Sequence, residues 1–187
     1  MLSRLQLQSI GFAAIGENVQ ISDRASFYGI GKISIGSNVR IDDFCVLAAG
    51  VGGIYIKNHI HLAVGVSLIG AGSITLEDFS GLSSRVSIYS SSDDYSGSVL
   101  TNPTVPDIYK NVIHADVYIG RHVIVGSGSV ILPGVSLGEG VAIGALSLVR
   151  KNCEPFGIYA GNPAKKIKER NRGLLEMEKQ FLAEKAN

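Results

Sequence analysis

A large apolar residue stands at every sixth position along much of this chain. One series runs from Ile15 to Val51 and another from Ile113 to Val149, and shorter series in a shifted phase cover 56–74 and 76–88. A helix repeats at about 3.6 residues and a strand at about 2, so neither alone produces this period. A short strand followed by a tight turn does, with one aliphatic side chain of each unit pointing inward. The sequence therefore predicts a chain that winds in many similar coils.

Glycine recurs where such a chain would turn a corner, in IGSN (35–38), IGRH (119–122) and LGEG (137–140). Gly, Asn and Asp readily adopt the positive φ angles that tight corners need. Three six-residue units make one triangular coil of about 18 residues, and coils stack at about 4.8 Å, the spacing of hydrogen-bonded strands. Residues 10–88 and 112–153 thus predict an all-β parallel β-helix of about six to seven coils.

Composition excludes several classes of function and location. The formal net charge is only +1, whereas a general nucleic-acid binder needs a strongly basic surface. No run of about 18 apolar residues is present, so we expect no membrane span. The first residues, MLSRLQLQSIGF, do not resemble a secretion signal, and the two cysteines, Cys45 and Cys153, suggest no disulfide framework. These features favour a cytoplasmic protein.

The six-residue period is interrupted once and then ends. It fails over 89–112, where apolar residues are too frequent for a solvated linker, and we expect an ordered arm that leaves the coil and packs on a neighbouring subunit. After Val149 the period stops, and the pattern of 164–187 predicts a C-terminal helix covering the open end of the coil. The predicted division is a β-helix domain over 1–163 and this helix.

Two segments carry a family resemblance, VYIGRHVIVGSGSVILPGVSLGEGVAIGALSLVRKN (117–152) and GIYAGNPAKKIKER (157–170). They resemble the left-handed β-helix hexapeptide acyltransferases, in particular bacterial sugar O-acetyltransferases of the galactoside, maltose and O-antigen type. The resemblance implies a left-handed coil and a homotrimer with active sites between subunits. It also implies transfer of an acetyl group from acetyl-CoA to a saccharide hydroxyl, in surface polysaccharide or O-antigen (lipopolysaccharide) biosynthesis, without a metal.

The resemblance also places the coenzyme A site. It implies a groove between coils for the pantetheine arm and basic side chains for the phosphates. The groove is implied at Ser127, Ala145, Arg150 and Lys151, and the phosphate contacts at Lys165 and Lys166. By composition alone, the two adjacent lysines would indicate no more than a solvated surface.

A hydroxyl acceptor requires a base, and a neutral imidazole near pH 7 can remove its proton. Strand alternation places His59 and His61 on one outer face. The galactoside and maltose enzymes have their catalytic histidine in the segment corresponding to the arm, where residues 89–112 of this chain contain none. The base is therefore expected to be a coil residue, with His61 our first choice and His114 the second, or else a carboxylate. Asp93 and Asp94, at the base of the arm, are expected to orient the imidazole or to bind the acceptor, unless they merely form an Asx turn.

Three alternatives remain open. An N-acetyltransferase acting on a nucleotide-linked amino sugar would need less help from a base, which fits an arm without histidine. A zinc enzyme of the hexapeptide carbonic anhydrase kind could use His59 and His61 together with His114 or His122 from a neighbouring subunit. A trimeric scaffold without catalytic activity would show similar outward residues.

Overall fold

The computed structural model describes residues 1–185, and these wind into a three-sided parallel β-helix of about seven coils. Each coil gives one short strand to each face, and each strand pairs in parallel with its counterpart one coil later. Ile35 pairs with Ile56, for example, and Ile56 with Leu76. The structure thus confirms the all-β parallel β-helix that the six-residue period predicts.

The three faces differ in length because the second continues past the last full coil. The first face holds β1 (Ala14–Ile15), β4 (Ile33–Ile35), β7 (Ile54–Ile56), β10 (Ile74–Leu76), β15 (Val117–Ile119) and β18 (Ser136–Leu137). The second holds β2 (Gln20–Ile21), β5 (Arg40–Ile41), β8 (His61–Leu62), β11 (Gly81–Leu82), β16 (Ile124–Val125), β19 (Ala142–Ile143), β21 (Gly157–Ala160) and β22 (Lys165–Glu169). The third holds β3 (Ser26–Tyr28), β6 (Val46–Ala49), β9 (Ser67–Gly70), β12 (Ser87–Tyr89), β17 (Val130–Ile131) and β20 (Leu148–Val149).

The predicted inward series forms the core, with two exceptions at its ends. Ile33, Val39 and Cys45 are completely buried, but the next member, Val51, is 83% exposed. A longer corner at 50–53 shifts the phase there, and the inward position passes to Ile54. Ile113 is exposed as well, because it lies in the arm rather than in a coil.

The arm leaves the coil a few residues later than predicted. Strand β12 extends to Tyr89, and then β13 (Ser91–Ser92) and β14 (Ile113–His114) pair antiparallel and close the base of the arm. A short 3-10 helix, Asp107–Tyr109, lies within it. Several large apolar side chains of the arm and its base are exposed in the single chain: Tyr95, Leu100, Ile108, Tyr109 and Ile113. Packing of the arm on a neighbouring subunit stays a prediction.

The helix predicted over 164–187 starts later and lies elsewhere. Residues Lys165–Glu169 form β22, which pairs antiparallel with β21 and so covers the last edge of the second face. Helix α2 then runs from Gly173 to Lys185, and the predicted remainder, 186–187, lies outside the described residues. Because α2 contacts His59 and His122 at a corner, it lies along the side of the coil instead of covering its end.

The first coil is covered by helix α1 (Arg4–Ser9). Its cap residue, Ser3, accepts a hydrogen bond from the backbone N–H of Gln6, and the side chain of Gln6 accepts one from the backbone N–H of Ser3. This capping box fixes the start of the helix. Leu7 is buried against the core, so the apolar interior is closed at its N-terminal end.

Candidate functional site

The second face carries a groove because one outward position has no side chain. Arg40, His61, Gly81 and Ile124 follow one another across this face in register. A Cβ atom at Gly81 would meet nothing within 4 Å, so the surface is open between His61 and Ile124. This face groove is lined by His61, Ala63, Gly81, Leu82, Ser83, Ser84, Ile124 and Ser127.

His61 is held at the edge of the face groove by two residues of the preceding coil. Its Nε2 atom lies 2.7 Å from Oδ2 of Asp42, and the Nε–H of Arg40 donates to Oδ1 of the same carboxylate at 2.7 Å. Burial alone would raise the pKa of Asp42, but the hydrogen bonds and charges of Arg40 and His61 outweigh it and lower that pKa. Asp42 is therefore a carboxylate at neutral pH.

A second groove begins where the face groove ends, at the corner between the second and third faces. Ser84 and Ser127 line both grooves. This corner groove is otherwise mainly apolar, and its lining is Val64, Ser84, Arg85, Ser127, Gly128, Ala145 and Leu146. The structure thus brings together Ser127 and Ala145, two of the four residues expected at the pantetheine groove, while Arg150 and Lys151 do not line it.

Of the two predicted phosphate ligands, Lys165 and Lys166, the first lies with Arg150 and Lys151 at the last coil and the second does not. Arg150, Lys151 and Lys165 line a pocket beside β22. Lys166 does not line it, because its Nζ atom lies 2.5 Å from Oε1 of Glu169 and that hydrogen bond raises the pKa of the lysine. The pocket residues are therefore the better placed cations for a phosphate.

The base of the arm forms a polar cluster of its own. Asp94 accepts hydrogen bonds from the backbone N–H of Ser96 at 2.6 Å and from Nδ2 of Asn111 at 3.4 Å. The bond to Ser96 is the Asx turn that the sequence left open, and the hydrogen bonds of Ser96 and Asn111 together lower the pKa of Asp94. Close by, Nδ1 of His114 lies 2.7 Å from the Ser91 hydroxyl, and His114 and Asn111 line one small pocket.

Asp93 and Asp94 do not orient His61 within the chain, because Asp42 holds that position. Asp93 is half-buried, and its backbone carbonyl accepts from the hydroxyl of Ser92. Sequence reasoning missed Asp42, Gly81 and Ser84. For Asp42 a signal existed, since it stands about one coil before His61 and two residues after Arg40, the strand partner of His61.

The other two histidines belong to a stack of rings at the corner between the first and second faces. The ring of Phe79 lies 4.8 Å from that of His59 and 5.2 Å from that of His122. His59 has a φ of 57° and sits at this corner, not on the face with His61 as predicted. Within residues 1–185 no three His, Cys, Asp or Glu side chains converge as metal ligands.

Comparison with known proteins identifies the class. The family described as bacterial transferase hexapeptide (six repeats) matches residues 116–151. The chain is 56% identical over 180 residues to a dTDP-4-amino-4,6-dideoxy-D-glucose acyltransferase of Escherichia coli, covering 96% of this chain and 94% of that protein. It is 30% identical over 129 residues to a putative lipopolysaccharide biosynthesis O-acetyl transferase of Escherichia coli K12, covering 66% and 64%.

A solved structure agrees over the whole fold. AntD, an N-acyltransferase from Bacillus cereus in complex with dTDP and 3-hydroxybutyryl-CoA, superposes with a TM-score of 0.95 at 45% identity, covering 100% of this chain and 98% of AntD. The chain therefore belongs to the hexapeptide-repeat acyltransferase family, whose sugar acyltransferases are among its relatives. The predicted resemblance, its left-handed β-helix and its acyl-CoA donor are confirmed. No helix within residues 1–185 is both long enough and apolar enough to cross a membrane.

Proposed function

We propose that this protein transfers an acyl group from acyl-CoA to the amino group of a dTDP-linked 4-amino-4,6-dideoxy sugar. The observation that carries the proposal is the 56% identity to the Escherichia coli dTDP-amino sugar acyltransferase over nearly the full length of both chains. AntD, solved with dTDP-4-amino-4,6-dideoxyglucose and coenzyme A, supports the same acceptor. The amino-sugar alternative thus replaces O-acetylation as the favoured function.

The chemistry of an amine fits the residues of the arm. A neutral amine attacks the thioester carbonyl directly, so the C–N bond forms, the C–S bond breaks, coenzyme A leaves as the thiol and the nitrogen loses one proton. Such an acceptor needs less activation than a hydroxyl, in keeping with the absence of histidine from residues 89–112. Asp94 offers a carboxylate that is ionised at neutral pH and can hold the amino group by a charge-assisted hydrogen bond.

Two residues receive support from the variants of AntD that have been solved. Structures of its S84C and D94A forms contain dTDP-bearing ligands and coenzyme A. This chain also has a serine at 84 and an aspartate at 94, and the two proteins align over almost their entire lengths. We assign Ser84, which lies where the face groove meets the corner groove, to the acyl carbonyl, and Asp94 to the acceptor amine.

We assign the remaining residues according to the groove or pocket that they line. His61, at the edge of the face groove, is the proposed base that takes the proton from the nitrogen. The mainly apolar corner groove, with Ser127 and Ala145, is the proposed channel for the pantetheine arm. Arg150, Lys151 and Lys165 are the proposed phosphate ligands, while Lys166 is engaged by Glu169.

We also propose that the protein is a cytoplasmic homotrimer that serves surface polysaccharide synthesis. Assembly is supported by the apolar side chains of the arm, such as Tyr95 and Ile108, which nothing covers in the single chain. A trimer would let the arm of one subunit approach the grooves of another, bringing Asp94 to Ser84. The similarity to the lipopolysaccharide O-acetyl transferase supports the process.

A comparison of two acceptors, tested separately, tests the proposed function. Purified protein is incubated with acetyl-CoA and either dTDP-4-amino-4,6-dideoxyglucose or its 4-hydroxy counterpart, and products are identified by mass spectrometry. We expect one added acetyl group on the amino sugar only, resistant to hydroxylamine as an amide is. A hydroxylamine-sensitive ester on the 4-hydroxy compound would instead favour O-acetylation as the function. Absence of both acetyl transfer and coenzyme A binding would favour the scaffold alternative.

A further inference from the structure

We infer that Asp42 is a positioning residue that fixes the tautomer and orientation of His61, so that Nδ1 of the imidazole is the atom that meets the acceptor. This inference rests on the proposed function in assigning the acceptor to His61. It concerns His61 on the second face and Asp42 at the corner that follows this face one coil earlier, both outside the arm. Arg40 completes the arrangement by holding the other oxygen of the Asp42 carboxylate.

The tautomer follows from which groups can donate a hydrogen bond. The contact between His61 Nε2 and Asp42 Oδ2 is 2.7 Å long, so it is a hydrogen bond and one atom must carry the proton. An ionised carboxylate can only accept. Asp42 is ionised at neutral pH, since Arg40 and His61 stabilise its charge, and Nε2 of His61 must therefore be the donor. A neutral imidazole with its proton on Nε2 has its free electron pair on Nδ1.

The surroundings of His61 leave Nδ1 available to a ligand. The side chain is about half exposed and lines the face groove beside Gly81, where the missing side chain keeps the surface open. Asp42, by contrast, is only 19% exposed and does not line the groove. The carboxylate thus supports the imidazole from behind, while the imidazole faces the groove.

This arrangement accounts for each proton that moves in the reaction. As the amine attacks, the nitrogen becomes positively charged, and Nδ1 of His61 accepts one proton from it while the electron pair stays on nitrogen. The imidazolium is stabilised by the adjacent Asp42 carboxylate. When the C–S bond breaks, the thiolate of coenzyme A takes a proton back from the imidazolium, and His61 returns to its starting tautomer.

The tautomer itself is tested without any turnover. Nitrogen-15 NMR of the imidazole of the full-length protein at about pH 8, where a free imidazole is neutral, reports which nitrogen carries the proton. In the wild type we expect His61 with the proton on Nε2. Asp42→Asn offers an amide N–H to Nε2 and so should increase the population with the proton on Nδ1. A wild-type His61 with its proton on Nδ1 would overturn the inference, whatever acceptor the enzyme uses.

Kinetic measurements then distinguish a positioning role of Asp42 from a purely structural role. We expect Asp42→Asn to lower kcat at least about ten-fold with little change in the KM for acyl-CoA. In a His61→Asn background the same change should cost nothing further, because Asp42 acts through His61. Asp43→Asn is the matched control, since Asp43 contacts Ser22 and Arg24 and not His61. Equal losses from Asp42→Asn with and without His61 would contradict the inference.

Discussion

The Oε2 atom of Glu178 lies 3.0 Å from Nε2 of His122, and both side chains are nearly covered. This contact fastens helix α2 to the corner between the first and second faces. Glu178 also pairs with Arg121, the neighbour of His122 on the coil. Beside the pair, Phe181 of the helix meets the rings of His59 and Phe79 edge-on. The buried Glu178 and the ring of Phe181 thus hold the helix to the coil.

Glu178→Gln should loosen this helix. The amide is almost the same size but loses the charge that pairs with Arg121, and a hydrogen bond to a charged group contributes about 1.5–3 kcal/mol. We expect faster hydrogen exchange and proteolysis within 173–185, with the coils unchanged. Glu176→Gln is the matched control, because Glu176 is exposed and, within residues 1–185, pairs with its helix neighbour Lys179 at 3.5 Å rather than with the coil. Equal protection in the two variants would show that the aromatic contact alone holds the helix.

Gly29→Ala should destabilise the coil, and Gly31→Ala should not. Gly29 has a φ of 67°, and a Cβ atom there would lie 2.1 Å from the carbonyl oxygen of Ala49 in the next coil. The backbone of one coil must shift to admit the methyl group, so we expect a loss of about 1–3 kcal/mol. A Cβ at Gly31 meets nothing within 4 Å. Thermal unfolding of both variants checks the difference, and similar midpoints would contradict it.

The six-residue period predicted the buried core positions because, in a regular coil, an inward-facing position recurs every six residues. It failed where the phase is set by something else, at Val51 by a longer corner and at Ile113 by the hairpin of the arm. Residues 165–169 were predicted as helix because Ile167 falls on the same apolar stripe, at helical spacing, as Leu174 and Met177. The unpaired edge of β21 overrode that preference and made them a strand.

The site could be predicted only in part, since side chains that meet across coils lie about 20 residues apart. The groove residues Ser127 and Ala145 were found through the family resemblance, and His61 through strand alternation. The spacing of about one coil between Asp42 and His61 indicated that the two could be neighbours. Whether the Asp42 side chain at its corner reaches back to the face is not encoded by the six-residue period. The same holds for the empty position at Gly81.

Gly81→Val should weaken binding of the acceptor without harming the fold. Gly81 is in a strand, its φ is not positive, and its outward position is empty, so a β-branched residue fits the backbone. Its side chain would fill the face groove between His61 and Ile124. We expect an unchanged or higher melting temperature together with a several-fold rise in the acceptor KM. Ser34→Val, at an outward position of the first face, is the control. Normal kinetics in Gly81→Val would remove the face groove from the site.

Arg150→Ala should weaken coenzyme A binding mainly through phosphate. Arg150 lines the pocket at the last coil together with Lys151 and Lys165. Loss of one charge-assisted contact should raise the Kd for coenzyme A by about ten-fold, and the effect should shrink at high salt. Calorimetry with coenzyme A and with pantetheine, which lacks the phosphates, separates the contributions. Lys32→Ala, at the opposite end of the coil, is the control. An equal loss of affinity for pantetheine would place Arg150 elsewhere in the site.

Asp94→Asn should lower kcat/KM for the amino sugar by about ten-fold or more, because an amide cannot balance the positive charge that develops on the nitrogen as the amine attacks. Hydrogen bonds from Ser96 and Asn111 hold the pKa of Asp94 below its ordinary value of 3.8. The wild-type carboxylate is therefore ionised throughout the neutral range, so the ratio of wild-type to variant activity should be constant from pH 6 to about 8. The ratio of wild-type to variant activity should decrease toward one only as the pH falls toward that lowered pKa of Asp94. Asp107→Asn, on the same arm and 99% exposed, is the control. A ratio that changes near neutral pH would mean that another group governs the binding of the amine.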